Sequence, residues 1–165
     1  TKIASPQIGD EIEQQRSVAK HITEEIQNET LYILGPGTTV KAIADELGLQ
    51  KTLLGVDVIQ NRQLLKRDAT ENGILQLLDG HSKIIVTPIG GQAYIFGRGN
   101  QQISPSVIRA VGKENIIVVA TKNKLHSLPE RRLLVDTGDS SLDASLRGYI
   151  RVVTDYREET VMRVE

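Results

Sequence analysis

The sequence predicts an α/β fold: a mostly parallel sheet with flanking helices and an antiparallel C-terminal extension. Three observations predict it. Apolar runs of strand length, Leu31–Leu34, Ile84–Val86 and Ile116–Ala120, lack polar alternation, as strands covered on both faces do. Stretches with helical apolar spacing lie between the earlier runs and give the βαβ rhythm. The tail, Tyr149–Thr154 and Thr160–Val164, reads as two β segments around the polar turn 155–159. No clear helix separates the late strands, so an antiparallel addition at one edge of the sheet is expected.

Residues 1–8 read as an extended lead-in, because Pro6 disfavours helix at Ser5. From Gly9 to about Gln27 the chain reads as an amphipathic helix. Ile8, Ile12, Val18, Ile22 and Ile26 recur near helical spacing, and Asp10, Glu11 and Glu13 sit where the dipole favours carboxylates. Leu31–Leu34 is a buried strand, and Val40–Leu47 a helix stopped by Gly48. Thr52–Ile59 reads as a second strand, turning at Asn61-Arg62 into a hairpin with Leu64–Lys66. Thr70 caps a helix to Leu78, and Ile84–Val86 is the next strand. Ser104-Pro105 starts a helix that ends at Val111 before Gly112. Ile116–Ala120 and Leu133–Val135 are further strands. Residues 1–30 form a lead-in and helix, and 31–165 one α/β domain.

At 165 residues the chain suffices for one domain with a real core. A net charge of −1 implies no general affinity for nucleic acid or anionic membrane. Aromatic residues are 3% of the chain, too few for a base-stacking platform. The lack of cysteine excludes disulfides, thiolate zinc sites and thiol catalysis, and fits a reducing, cytoplasmic setting. His21, His81 and His126 have no metal-ligand spacing, so no resident metal is expected. No apolar run approaches the roughly 20 residues that cross a bilayer.

Two glycine-rich segments carry the functional signal. Gly35-Pro36-Gly37-Thr38-Thr39 lies between a strand and a helix, where backbone N–H groups and two hydroxyls make an anion-sized cradle. It is neither a Walker loop nor a Gly-x-Gly-x-x-Gly fingerprint. A tight turn with a threonine cap would look the same. Thr87-Pro88-Ile89-Gly90-Gly91-Gln92 and Gly97-Arg98-Gly99-Asn100-Gln101-Gln102 follow the strand at Ile84–Val86. Glycine marks turns or close backbone approach, and Arg98 adds a guanidinium suited to phosphate. A parallel sheet places both segments at its carboxyl edge. Asp57 and Asp136 end apolar runs, where carboxylates hold ribose hydroxyls or Mg²⁺ or form turns. Lys122 reads first as a solvated lysine and second as a phosphate contact.

Leu-Gly-Pro-Gly-Thr-Thr (34–39), Thr-Leu-Leu-Gly-Val-Asp (52–57), Thr-Pro-Ile-Gly-Gly-Gln (87–92), Phe-Gly-Arg-Gly-Asn-Gln-Gln-Ile-Ser-Pro (96–105) and Leu-Val-Asp-Thr-Gly (134–138) resemble the C-terminal part of NAD kinase-like proteins. The subgroup is that of predicted polyphosphate/ATP-NAD kinases related to the acetoin-catabolism X protein. The resemblance implies phosphoryl transfer from ATP or polyphosphate, with Mg²⁺, to the 2′-hydroxyl of the adenosine ribose of NAD. It also implies that Gly35, Gly37, Thr38, Thr39, Asp57, Thr87, Gly90, Gly91, Gln92, Gly97, Arg98, Gly99, Asn100, Gln101 and Asp136 serve nucleotide binding. The Gly-Gly-Asp-Gly-Thr motif, whose Asp is the catalytic base in such kinases, is absent from this sequence. With the chain beginning at Thr1, this gives the expectation of a C-terminal lobe that binds but does not catalyse alone. Its expected partners are a missing N-terminal lobe, small-molecule nucleotides and further copies of itself. Two other readings stand beside it: a sugar-phosphate isomerase or CoA-transferase-like sensor, and a non-catalytic oligomerisation domain.

Overall fold

The computed structural model describes residues 6–165, with side chains from residue 9 onward. A long helix, α1 (Pro6–Glu25), leads into β1 (Leu31–Leu34), α2 (Thr38–Glu46), and the hairpin β2 (Asp57–Gln60) and β3 (Gln63–Lys66). Then come α3 (Glu71–Leu77), β4 (Ser82–Val86), β5 (Tyr94–Phe96), α4 (Pro105–Val111) and β6 (Ile116–Val119). The chain closes with α5 (Lys122–Ser127), β7 (Arg132–Val135), α6 (Ser140–Leu146), β8 (Gly148–Asp155) and β9 (Glu158–Val164). The nine strands of the described residues form one sheet in the order β3-β2-β1-β4-β6-β8-β9-β7-β5.

The apolar runs became central strands because both of their faces are covered. Alternate side chains of β1 enter different cores: Leu31 and Ile33 join one cluster, Tyr32 and Leu34 the other. In β4, Ile84 and Val86 likewise part from Ile85. One core lies under α1 and α2, where Val18, Ile22, Val40 and Ile43 meet Leu34, Ile85 and Val119. The larger core packs Ile74, Phe96, Ile103, Val107 and Ile108 against Ile33, Ile84 and Val118. Strand β4 pairs in parallel with β1 and β6, and β6 with β8; β7 pairs in parallel with β9 and β5.

The predicted caps hold the helices. Thr70 accepts from the Gly73 N–H, and Ser104 from the Val107 N–H with Pro105 beginning α4. Gly112 ends α4 with φ +92°. The Asn61-Arg62 turn joins β2 to β3, with both residues at positive φ.

Several expectations are corrected. The first helix begins at Pro6 rather than Gly9, and residues 1–5 of the expected lead-in lie outside the described residues. Proline suits this place because the first helical N–H has no intrahelical acceptor. The second strand starts at Asp57, not Thr52. The Asp57 carboxylate accepts from the Thr52 N–H (2.8 Å) and hydroxyl (2.5 Å), and this local bonding replaces a ladder over residues 52–56. Helices do separate β6 from β7 and β7 from β8. Thr121 caps α5 and Asp139 caps α6, and both helices are too short to show apolar periodicity. Strand β5, three residues among glycines, was not foreseen. The mostly parallel α/β sheet and its antiparallel C-terminal pair β8–β9 are present as expected, but the pair lies inside the sheet, because β8 also joins β6 and β9 joins β7. The antiparallel edge is instead β1–β2–β3.

Candidate functional site

Strands β1 and β4 are parallel neighbours, so the segments that follow them emerge side by side. Gly35 stays in register, donating its N–H to the Ile85 carbonyl (2.9 Å). Gly37 turns the chain at φ +113° and donates to the Leu53 carbonyl (3.0 Å). A Cβ on Gly37 would sit 2.8 Å from the Thr87 methyl, so glycine is what lets the two segments touch. Helix α2 starts immediately after, and Gly37 gives its N-terminus no side-chain cap. The N–H groups of the first turn and the N-terminal dipole therefore favour an anion here.

From β4 come the buried Thr87 and Pro88, half-buried Ile89, and Gly90 with φ +63°. The Ile89 N–H donates to the Tyr94 carbonyl (3.1 Å) and closes the turn into β5. Lys124, from the first turn of α5, donates its ammonium to the Gly90 carbonyl. A cleft of about 480 Å³ lies among these groups. Its floor and rim are Pro36–Thr39 and Thr87–Gly90, its apolar wall includes Leu53 and Leu54, and Lys124 and Glu11 supply its charges.

Of the residues expected from the sequence, the structure brings Gly37, Thr38, Thr39, Thr87 and Gly90 together in this cleft. Gly35 lies behind them against Val86. Gly91 and Gln92 are exposed beyond Gly90. Gly97, Arg98, Gly99, Asn100, Gln101 and Asp136 gather instead around the carboxyl ends of β5 and β7. Gly99 abuts the Ile89 side chain, which connects this second loop to the cleft wall. Arg98 pairs with Asp136 at 3.1 Å and stacks over Tyr94 at 4.7 Å from the ring centre. Asn100 is fully buried, donating to the Ile95 carbonyl (2.9 Å) and accepting from the Gly97 N–H (3.1 Å). Gln101 is exposed.

Asp57 is also fully buried, beneath the cleft's Leu53–Leu54 wall. Besides Thr52 it accepts from the Asp68 N–H (3.2 Å). Lys51, 3% exposed, donates to the carbonyls of Thr52 (2.8 Å) and Gly55 (2.9 Å). Burial pushes its pKa down to about 8, against the pull of the Asp57 carboxylate. Lys51 and Asp57 thus hold from below the loop whose Leu53 carbonyl receives the Gly37 N–H.

Sequence reading missed Glu11, Leu53, Leu54 and Lys124 as cleft residues. Lys122, the phosphate candidate of the sequence, bonds Glu158 at 2.9 Å instead, and that bond, with Asp155 nearby, raises its pKa. Reading Thr121 as a helix cap would have placed Lys124 in a first turn. Glu11 gave no local signal, since it arrives on a helix 110 positions from Thr121, its partner.

The cleft offers N–H groups and an ammonium for phosphate, an apolar wall for a base, and one carboxylate. A single carboxylate does not build a cage for Mg²⁺, and the described residues hold no cluster of three metal-ligating acidic or histidine side chains. No helix of the described residues is long and apolar enough to cross a membrane.

The family model for the ATP-NAD kinase C-terminal domain matches residues 27–164. No curated protein and no solved structure gave a match. The match spans β1 through β9 and both glycine segments, and starts just after α1. The chain belongs to the ATP-NAD kinase C-terminal domain family.

Proposed function

We propose that this lobe holds nucleotide for a kinase that phosphorylates NAD, with its phosphate site at the α2 N-terminus. The family supplies the coarser statement: an NAD kinase-type lobe, with NAD as substrate and an ATP-type phosphoryl donor. The finer reaction moves the γ-phosphoryl of ATP, or the terminal phosphoryl of polyphosphate, onto the 2′-hydroxyl of the adenosine ribose. The new P–O bond forms at that oxygen, the bridging P–O bond breaks, and the hydroxyl proton passes to a base. Such transfer depends on positioning and on donors around the phosphates. The missing Gly-Gly-Asp-Gly-Thr motif supports assigning the base to another lobe, so this chain binds and does not catalyse alone. A cytoplasmic location and self-association belong to the same proposal.

One observation carries it. The uncapped start of α2 and the Thr87–Gly90 segment meet at the carboxyl ends of adjacent parallel strands, beside Lys124. Anionic ligands of α/β proteins bind at such an edge. The test is thermal unfolding with NAD, NADP, ATP–Mg²⁺ or a sugar phosphate at millimolar concentration. At about 100 times the dissociation constant a ligand adds about 2.7 kcal/mol, a rise of roughly 5–10 °C for a chain of this size. NAD or ATP should produce that rise, and Lys124→Ala should reduce it more than Arg98→Ala, whose guanidinium is already paired. Stabilisation by the sugar phosphate alone would favour the sensor reading, and none by any ligand would defeat nucleotide binding by this chain.

A further inference from the structure

Helix α1 lies ahead of the matched residues 27–164, yet its first turns reach both helix starts that border the cleft. Glu11 accepts from the Thr121 hydroxyl, its two carboxylate oxygens 2.7 and 3.1 Å away. Gln15 donates to the Glu11 carboxylate (3.3 Å) and to the Thr38 hydroxyl (2.8 Å). Gln14 accepts from the Asn123 N–H (3.2 Å). A continuous polar chain, Thr121–Glu11–Gln15–Thr38, therefore crosses the rim from α5 to α2. Among the described residues that line the cleft Glu11 is the one carboxylate, and it is half-buried.

The charges of the cleft are asymmetric. The α2 N–H groups and Lys124 attract phosphate, whereas a carboxylate repels it and accepts hydrogen bonds only. A carboxylate has about four lone-pair positions, and Thr121 brings one proton and Gln15 one long hydrogen bond. The remaining acceptor capacity suits a neutral hydroxyl donor on the same ligand as the phosphate. We propose that Glu11 accepts a hydrogen bond from a ribose hydroxyl of the bound nucleotide and so selects ribonucleotide over deoxyribonucleotide. This rests on the nucleotide reading above and adds to it a specificity-determining residue outside the matched domain.

The test compares dissociation constants of the full chain for ATP and for NAD, each against its 2′-deoxy and 3′-deoxy adenosine analogues. A hydrogen bond to a charged acceptor gives about tenfold discrimination or more. Wild type should prefer the parent nucleotide over at least one deoxy analogue by that factor. Glu11→Gln keeps an amide oxygen as acceptor but loses the charge, and should lower the ratio several-fold, to that of a neutral hydrogen bond. Glu11→Asp should restore part of it. If Glu11→Gln does not fold, the wild-type ratios and Glu11→Asp still decide. Equal wild-type affinity for parent and deoxy analogues overturns this inference and leaves nucleotide binding standing. So does an equal weakening of both by Glu11→Gln, the signature of a merely structural contact. Binding of neither parent nor analogue overturns both readings.

Discussion

Gly97→Ala is expected to destabilise the protein by about 3 kcal/mol or more. Gly97 has φ +91°, where an L side chain is strained. A Cβ there would also overlap the backbone carbonyl of Asp136, so one strand end would have to move. That end is tightly tied. The Asp136 N–H donates to the Phe96 carbonyl (3.1 Å), and Phe96 is fully buried in the larger core. The backbone displacement adds to the torsional cost, which is why the total exceeds an ordinary glycine substitution. Urea unfolding would measure it as a shift in midpoint at constant slope. Gly99→Ala, at φ +82° but facing only the Ile89 side chain at 3.3 Å, should cost less. A change below about 1 kcal/mol for Gly97→Ala would mean that β5 and β7 are not so closely joined.

Lys51 gives the second large effect, and its direction follows from its lowered pKa. Burial is the main cause of the fall to about 8, and Lys41 adds to it, while Asp57 and Asp68 oppose it. Below pH 8 the folded and unfolded chains both carry the proton, and the full cost of burying the ammonium is present. Between pH 8 and 10.5 the unfolded chain keeps a proton that the folded chain releases, so Lys51 makes stability rise with pH. The rise is on the order of 2 kcal/mol. Other groups titrate in this window, so the measurement is the difference between wild type and Lys51→Met in urea at pH 7, 8, 9 and 10. That difference should grow with pH in favour of wild type. Parallel curves would show that Lys51 is not buried as a cation. At pH 7 the variant should also loosen the Leu53–Leu54 wall, since the carbonyls of Thr52 and Gly55 lose their donor and Asp57 its cation.

The strands and most caps could be read from the sequence because their causes are local. Leu31–Leu34 is uninterrupted and apolar, and Ser104-Pro105 and Thr70 carry their capping chemistry within three residues. Helices α5 and α6 were missed because six or seven residues give no periodicity, and only their caps announce them. Thr52–Val56 misled because its apolar pattern is strand-like, whereas the Asp57 carboxylate bends it. In the cleft, Gly37–Thr39 and Thr87–Gly90 were legible as glycine or proline segments following apolar strands. Glu11 and Lys124 were not, since tertiary packing alone brings them in. Arg98 stood out for its charge, while its partner Asp136 lies 38 residues on.

The central claim is that nucleotide binds between the start of α2 and the Thr87–Gly90 segment, and amide chemical-shift mapping during titration with NAD and with ATP–Mg²⁺ tests it most directly. The account predicts the largest changes at Thr38, Thr39, Val40, Gly90 and Lys124, with smaller ones at Leu53 and Leu54. Saturable binding with its largest changes at Arg98–Gln101 and Asp136, and none at Thr38–Val40, would contradict it and move the site to the ends of β5 and β7.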